Sequence, residues 1–158
     1  MAVALFILSI VGTLVGVQVS RLVKAHRFEK EISRLFTSLQ EAQILAVTYQ
    51  TDFSLDLFVE KGKLKYRFSS DEPLAKAVFS QEAVPFVFTT AVRFNNKKIK
   101  AQHLDIYSSG SVEPRGILAF GTNDDGKELY FDLQQGALLK FCHQLPVVLK
   151  QSLPSRIK

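Results

Sequence analysis

Met1–Ser20 reads MAVALFILSIVGTLVGVQVS, without one charged residue, and Arg21–Gln50 continues as RLVKAHRFEKEISRLFTSLQEAQILAVTYQ. How these two runs are joined decides the fold. No Pro or Gly stands between Val17 and Thr51, so nothing interrupts a helix once it starts. A single helix over residues 1–50 would be about 75 Å long. A domain of roughly a hundred residues is far narrower than that, so part of the helix must project.

The uncharged run is about 30 Å as a helix, enough for the hydrocarbon core of a bilayer. A cleavable secretory signal would instead show a basic start, a shorter apolar stretch and a small-x-small site. Neither the basic start nor a convincing cleavage site precedes Arg21. A buried core helix would need a less charged neighbour than Arg21–Gln50. Membrane spanning is therefore the expectation for 1–20, with the other two readings as competitors. Arg21, Lys24, Arg27 and Lys30 follow the span and nothing basic precedes it, which alone would put the following domain on the cytoplasmic side.

In 21–50 apolar residues repeat at alternating spacings of four and three. Phe28, Ile32, Leu35, Leu39, Ala42, Ala46 and Tyr49 form the seam. Phe36 and Leu45 widen it towards a globular packing stripe, and Lys30, Arg34 and Glu41 mark the solvated face. Two uses of the seam are open. From Leu39 onward it is expected to pack on the following domain, and its upper part, with residues 1–27, to pack on equivalent helices.

Near Thr51 the period changes to two. Phe53, Leu55, Leu57 and Val59 alternate with polar positions, then Leu64, Tyr66 and Phe68 do so after Glu60-Lys61-Gly62-Lys63, which predicts a hairpin with Gly62 at positive φ. A short helical turn is expected within 71–80. Further strands are expected at Val84–Phe94, Ala101–Tyr107, Gly116–Phe120, Lys127–Leu133 and Ala137–Phe141, with turns at Asn95-Asn96, Ser108–Gly110, Asn123–Gly126 and Gln134–Gly136. Pro85 demands an edge strand or a start after it. The fold class is thus α+β, a long N-terminal helix packed on an antiparallel β-sheet domain. Its parts are a transmembrane half (1–20), an amphipathic half (21–50), a β-rich domain (51–142) and a loosely held basic tail (143–158).

The chain has 158 residues, 47% of them apolar, and a net charge of +5, too diffuse to indicate nucleic acid. One cysteine, Cys142, excludes an intramolecular disulfide framework and a Cys-rich zinc site.

An uncharged helix running into a charged amphipathic half and then an antiparallel β domain resembles the type IV pilin-like proteins. MAVALFILSIVGTLVGV looks like the segment after the family's Gly-Phe-Thr-Leu-x-Glu, and RFEKEISRLFTSLQEAQILAV like the second half of that helix. LDIYSSGSVEPRGILAFGTNDDGKELYFDLQQGALLKF has the strand and glycine-turn rhythm of the GspH/FimT group of minor pseudopilins and minor pilins. The resemblance implies a pilin-like fold and a minor pseudopilin of a type II secretion system, anchored once in the inner membrane with its β domain in the periplasm. It implies other pseudopilins or pilins, an inner-membrane assembly platform and the lipid bilayer as partners, with a prepilin peptidase acting upstream of Met1. The peptidase motif and its Glu are missing from the sequence, and a start placed too late is the expected explanation. A basic leader there would also reverse the orientation argument. The alternatives are a minor type IV pilin serving DNA uptake and an anchored β-domain binding protein that does not polymerise.

No catalytic constellation emerges, so neither an enzyme nor a bound cofactor or metal is expected. His26, His103 and His143 are scattered and read as ordinary surface or half-buried residues. Cys142 beside His143 would face away from it in a strand. Gly116, Gly121 and Thr122 mimic a phosphate loop without its lysine. Asn123–Gly126 reads as a turn rather than a Ca²⁺ loop. Ser108, Ser109 and Ser111 around Gly110 lack a nucleophile elbow. The candidate sites are therefore packing sites: Leu5, Leu8, Gly12 and Gly16 in the membrane half, where Gly-x-x-x-Gly allows close helix approach, and the amphipathic seam. Nucleic acid is not expected as a partner, Lys150, Arg156 and Lys158 being three dispersed cations without aromatic neighbours.

Overall fold

The computed structural model describes the backbone of residues 2–70, 73, 79, 82–122, 128–134 and 139–144, with side chains from residue 18 onward. The N-terminal helix α1 (Ala2–Tyr49) is packed on antiparallel sheets, an α+β architecture. Among the described residues ten strands follow: β1 (Phe53–Glu60), β2 (Lys63–Ser70), β3 (Val84–Pro85), β4 (Ala91–Phe94), β5 (Lys97–Lys98), β6 (Ala101–Ile106), β7 (Val112–Glu113), β8 (Ile117–Gly121), β9 (Glu128–Asp132) and β10 (Lys140–Cys142). They form two five-stranded sheets, ordered β3-β2-β1-β6-β7 and β10-β9-β8-β4-β5.

The helix seam supplies the core for both sheets. Phe28, Ile32, Leu35, Leu39, Ala42 and Ala46 are all buried, in one cluster with Leu55 and Leu104 of the first sheet and Phe120 and Phe131 of the second. Phe36, half-buried, reaches Phe131 and Phe141, with ring centroids 5.1 and 5.5 Å away. Two expectations about the seam change. Tyr49 is 49% exposed. A straight helix drifts by about 20° per heptad relative to a strict seven-residue repeat, and three heptads carry Tyr49 off the buried face. The helix also ends there, with Gln50 at φ 53° and Thr51 N donating to Ala46 O. The division at Leu39 moves as well: Phe28, Ile32 and Leu35 are already covered by this chain's own sheets, so the upper seam is not left for neighbouring helices.

The first hairpin forms as the alternation predicts. Lys61 and Gly62 are its two loop residues, both at positive φ, and Glu60 pairs with Lys63 in register. Val59 departs from the inward set and is 47% exposed, because β1 runs past the edge of the core at its end. The single strand expected over Val84–Phe94 is two short ones in different sheets. β3 pairs with β2 at the edge of the first sheet, as Pro85 requires, and β4 pairs with β8 in the second. The sequence shows no sign of β5 or β7, which are two residues each. Most of 71–80, the turn at Asn123–Gly126 and the tail from residue 145 lie outside the described residues.

The break between β3 and β4 has a specific cause. The Glu31 carboxylate accepts the backbone N–H of Val87 (2.6 Å), Phe88 (3.2 Å) and Thr89 (3.1 Å), and the Thr89 hydroxyl (2.9 Å). Those donors belong to the segment that leaves one sheet for the other and so have no ladder partner; a carboxylate with several lone pairs satisfies them together. Replacing Glu31 with Ala should cost about 3 kcal/mol, since it strands three amides in a half-buried crossing, while Glu31→Gln, retaining one acceptor oxygen, should lose less. Thermal unfolding of the full chain in detergent checks the order wild type, Gln, Ala.

Candidate helix-packing site

The environment of α1 changes at Phe28. Between Gln18 and Arg27 every residue is exposed except the half-buried Ala25, although the backbone is continuously helical. Val19 (52% exposed), Leu22 (70%) and Val23 (43%) stand at i, i+3 and i+4 and form one apolar stripe. Among the described residues none of the sheets covers it. Leu5, Leu8, Gly12 and Gly16 continue the same helical backbone, but how they pack lies outside the described side chains. Among the described residues no helix is long and apolar enough to cross a membrane; the run 1–17, on which that expectation rests, is not among the described side chains.

At the other end of the helix, Ile44 (65% exposed) and Val47 (46%) flank a groove of about 550 Å³ with Gln40, Gln43, Gly110 and Leu139. Its floor is fixed by a turn rather than by a nucleophile. Gln43 Nε2 donates to Gly110 O at 2.7 Å, and Gly110 sits at φ +81° where a Cβ would lie 3.0 Å from Val47. Glycine is thus required twice over. The serines around it are turn residues, Ser109 and Ser111 sharing a hydroxyl contact of 2.8 Å.

His103 is less ordinary than its sequence context suggests. On the outer face of the first sheet, Arg67, Asp56 and His103 line up across β2, β1 and β6 as register partners. His103 Nδ1 lies 2.6 Å from Asp56 and Nε2 lies 3.0 Å from Asp105, while Arg67 reaches Asp56 at 3.5 Å. The hydrogen bond to Asp56 raises the imidazole pKa most; desolvation opposes it, and the charges of Asp105 and Asp56 add to the rise. Both ring nitrogens are engaged by carboxylates, so the ring is poorly placed as a base. Sequence reasoning missed this cluster because it depends on strand register. The available signal was the alternation that puts Asp56 on the polar face of β1.

The other candidates separate. Cys142 is half-buried and burial raises its thiol pKa, which disfavours the thiolate; His143 turns away to Glu29 at 3.4 Å. Gly116 belongs to a tight packing point against Asn95, and Gly121 ends β8, so neither forms a phosphate loop. Among the described residues no group of three His, Cys, Asp or Glu is arranged to hold a metal. Lys150, Arg156 and Lys158 lie outside the described residues.

No family model, no curated protein and no solved structure matches the chain.

The histidine cluster gives a pH signature. A folded-state pKa above the ordinary 6.5 means the contribution is fully present below that value and is lost as pH rises through the raised folded value. Wild type should therefore lose a small increment of stability as pH rises above about 6.5. Asp56→Asn should flatten that dependence; an unchanged slope in the variant would refute the assignment.

Proposed function

We propose that the protein is a minor pseudopilin subunit of a type II secretion system, held in the inner membrane by residues 1–20 and joining a periplasmic pseudopilus through α1. The observation that supports this is the change along the helix at Phe28. Below it the seam is consumed by the chain's own sheets. Above it the helix goes on for 26 residues, about 39 Å, carrying the exposed Val19–Leu22–Val23 stripe and an uncharged run. A helix that long gains little from propensity alone and needs a surrounding medium or neighbours. Lipid suits its first part, and equivalent helices suit the stripe below.

On this reading the β domain is a rigid head, and the work is mechanical rather than catalytic. Other pseudopilins, the assembly platform and a prepilin peptidase are the partners it requires. Nucleic acid is not among them.

Deleting the gene in its host should abolish release of a secreted protein, and the wild-type gene should restore it. Leu22→Glu with Val23→Glu, outside the folded head, should fail to restore release while leaving the circular dichroism of the chain unchanged. Full restoration by the double variant would refute helix packing as the mechanism. Undiminished secretion in the deletion strain would refute the function.

A further inference from the structure

The charges of the folded head are sorted along its length. Near the C-terminal end of α1, residues 41–56 hold Glu41, Asp52 and Asp56 and no Lys or Arg, Asp56 being engaged by Arg67 of β2 at 3.5 Å. The turn region 105–113 adds Asp105 and Glu113, again without a cation, and Asp52 ties it to that end by accepting Ser108 N at 2.7 Å. The opposite end is basic. Arg21, Lys24 and Arg27 follow the uncharged run on the helix, and Arg21 and Arg27 are exposed.

The first hairpin brings more cations to the same level. β1 opens four residues after α1 ends, and its eight residues climb back along the helix by about 23 Å. The climb is anchored at its top, where Phe86 N donates to Leu64 O at 2.9 Å and the next three residues are held by Glu31. Leu64 is thus near the level of Glu31. The turn at Lys61–Gly62–Lys63 lies up to about 10 Å further on, level with the helix just before Phe28. Lys100 joins it, since Val59 N donates to Lys100 O at 3.1 Å. Lys61, Lys63 and Lys100 are exposed, whereas Lys65, lower on the hairpin, is engaged by Glu60 at 2.6 Å.

We infer that Lys61, Lys63 and Lys100, with Arg21 and Arg27, form a basic collar that seats the head on the anionic headgroups of the membrane from which α1 emerges. This rests on the membrane-spanning reading of residues 1–20 proposed above. Arg27 is about 10 Å along the helix from Ser20. That distance is comparable to the headgroup layer plus one Debye length, within which each cation near an anionic surface contributes appreciably. The acidic far end lies more than about two Debye lengths from that surface and does not compete for it.

The test uses the full chain with Cys142→Ser and Val59→Cys, a fluorophore on residue 59, and vesicles containing a headgroup-nitroxide lipid. Phosphatidylcholine vesicles are compared with vesicles carrying about 30 mol% phosphatidylglycerol. Quenching should be about twofold stronger with the anionic lipid and should fall to the neutral-lipid level at high salt. The combined Lys61→Glu, Lys63→Glu and Lys100→Glu variant should show no preference between the vesicles. Equal quenching of the unreversed chain in both vesicle types overturns the collar, as does a preference that survives the reversal. Loss of self-association in detergent on reversal, without any change in quenching, overturns it in favour of contact between copies. A chain that does not float with neutral vesicles after alkaline carbonate refutes the membrane span itself; one that floats but shows no charge effect refutes the collar alone.

Discussion

One face of one helix holds both sheets. Phe28, Ile32, Leu35, Leu39, Ala42 and Ala46 form a row about 27 Å long, and the two sheets share one continuous apolar cluster with it. The first and last of the row face different demands. Ala42 and Ala46 keep the helix close to the sheets near the Gly110 turn, while Phe28 fills space at the far end of the row. Removing the helix would leave Leu55, Leu104, Phe120 and Phe131 uncovered together. The head is therefore not a β domain with a rod attached: its core begins at Phe28, and the lower helix is part of it.

A core shared in this way forces the chain to change sheets, and each crossing leaves backbone groups without a ladder. The crossing from β3 to β4 is closed by Glu31, which comes from the helix rather than from either sheet. The same carboxylate thereby fixes the height of the helix against the crossing. The return from β5 to β6 is closed by backbone alone, through Ile99 N to Val92 O and Val59 N to Lys100 O. The stitch at Glu31 joins three elements at one point, so its loss should be felt by both sheets, whereas each backbone bond on the return path joins only two segments.

The sequence carried the parts of this fold that depend on local period. Spacing of four and three named the buried helix residues from Phe28 to Ala46, and alternation named Phe53, Leu55, Leu57 and Phe68. Turn chemistry, glycine in one case and asparagine in the other, located the Lys61–Gly62 and Asn95–Asn96 turns. What it did not carry depends on register or on distant partners. Val84–Phe94 reads as one strand because nothing local reveals that Glu31, more than fifty residues earlier, will hold its middle out of the ladder. Asp56, His103 and Arg67 look unremarkable singly and become a row only once three strands are aligned. Tyr49 fits a seven-residue repeat on paper, but the straight helix has rotated it away by then. The packing site divides in the same way: the apolar stripe at Val19–Val23 is visible as letters, yet its exposure depends on the sheets stopping at Phe28.

That stopping point constrains any use of the helix by a partner. Residues from Phe28 to Ala46 on the seam are already covered, so a neighbour can approach only the exposed face or the stretch before Phe28. The exposed face is charged through Lys30, Arg34 and Glu41, which favours water over a packed helix until Ile44 and Val47 reach the groove at its C-terminal end. The stretch before Phe28 carries both the Val19–Leu22–Val23 stripe and the cations Arg21, Lys24 and Arg27 within three turns. A stripe and a charge set so closely interleaved suit an interface between an apolar medium and a polar one. Arginine and lysine stems can lie along the apolar surface while their heads reach outward. The helix can then pass from one medium to the other without burying an unpaired charge, and the head, built on the same rigid rod, inherits its position from that passage.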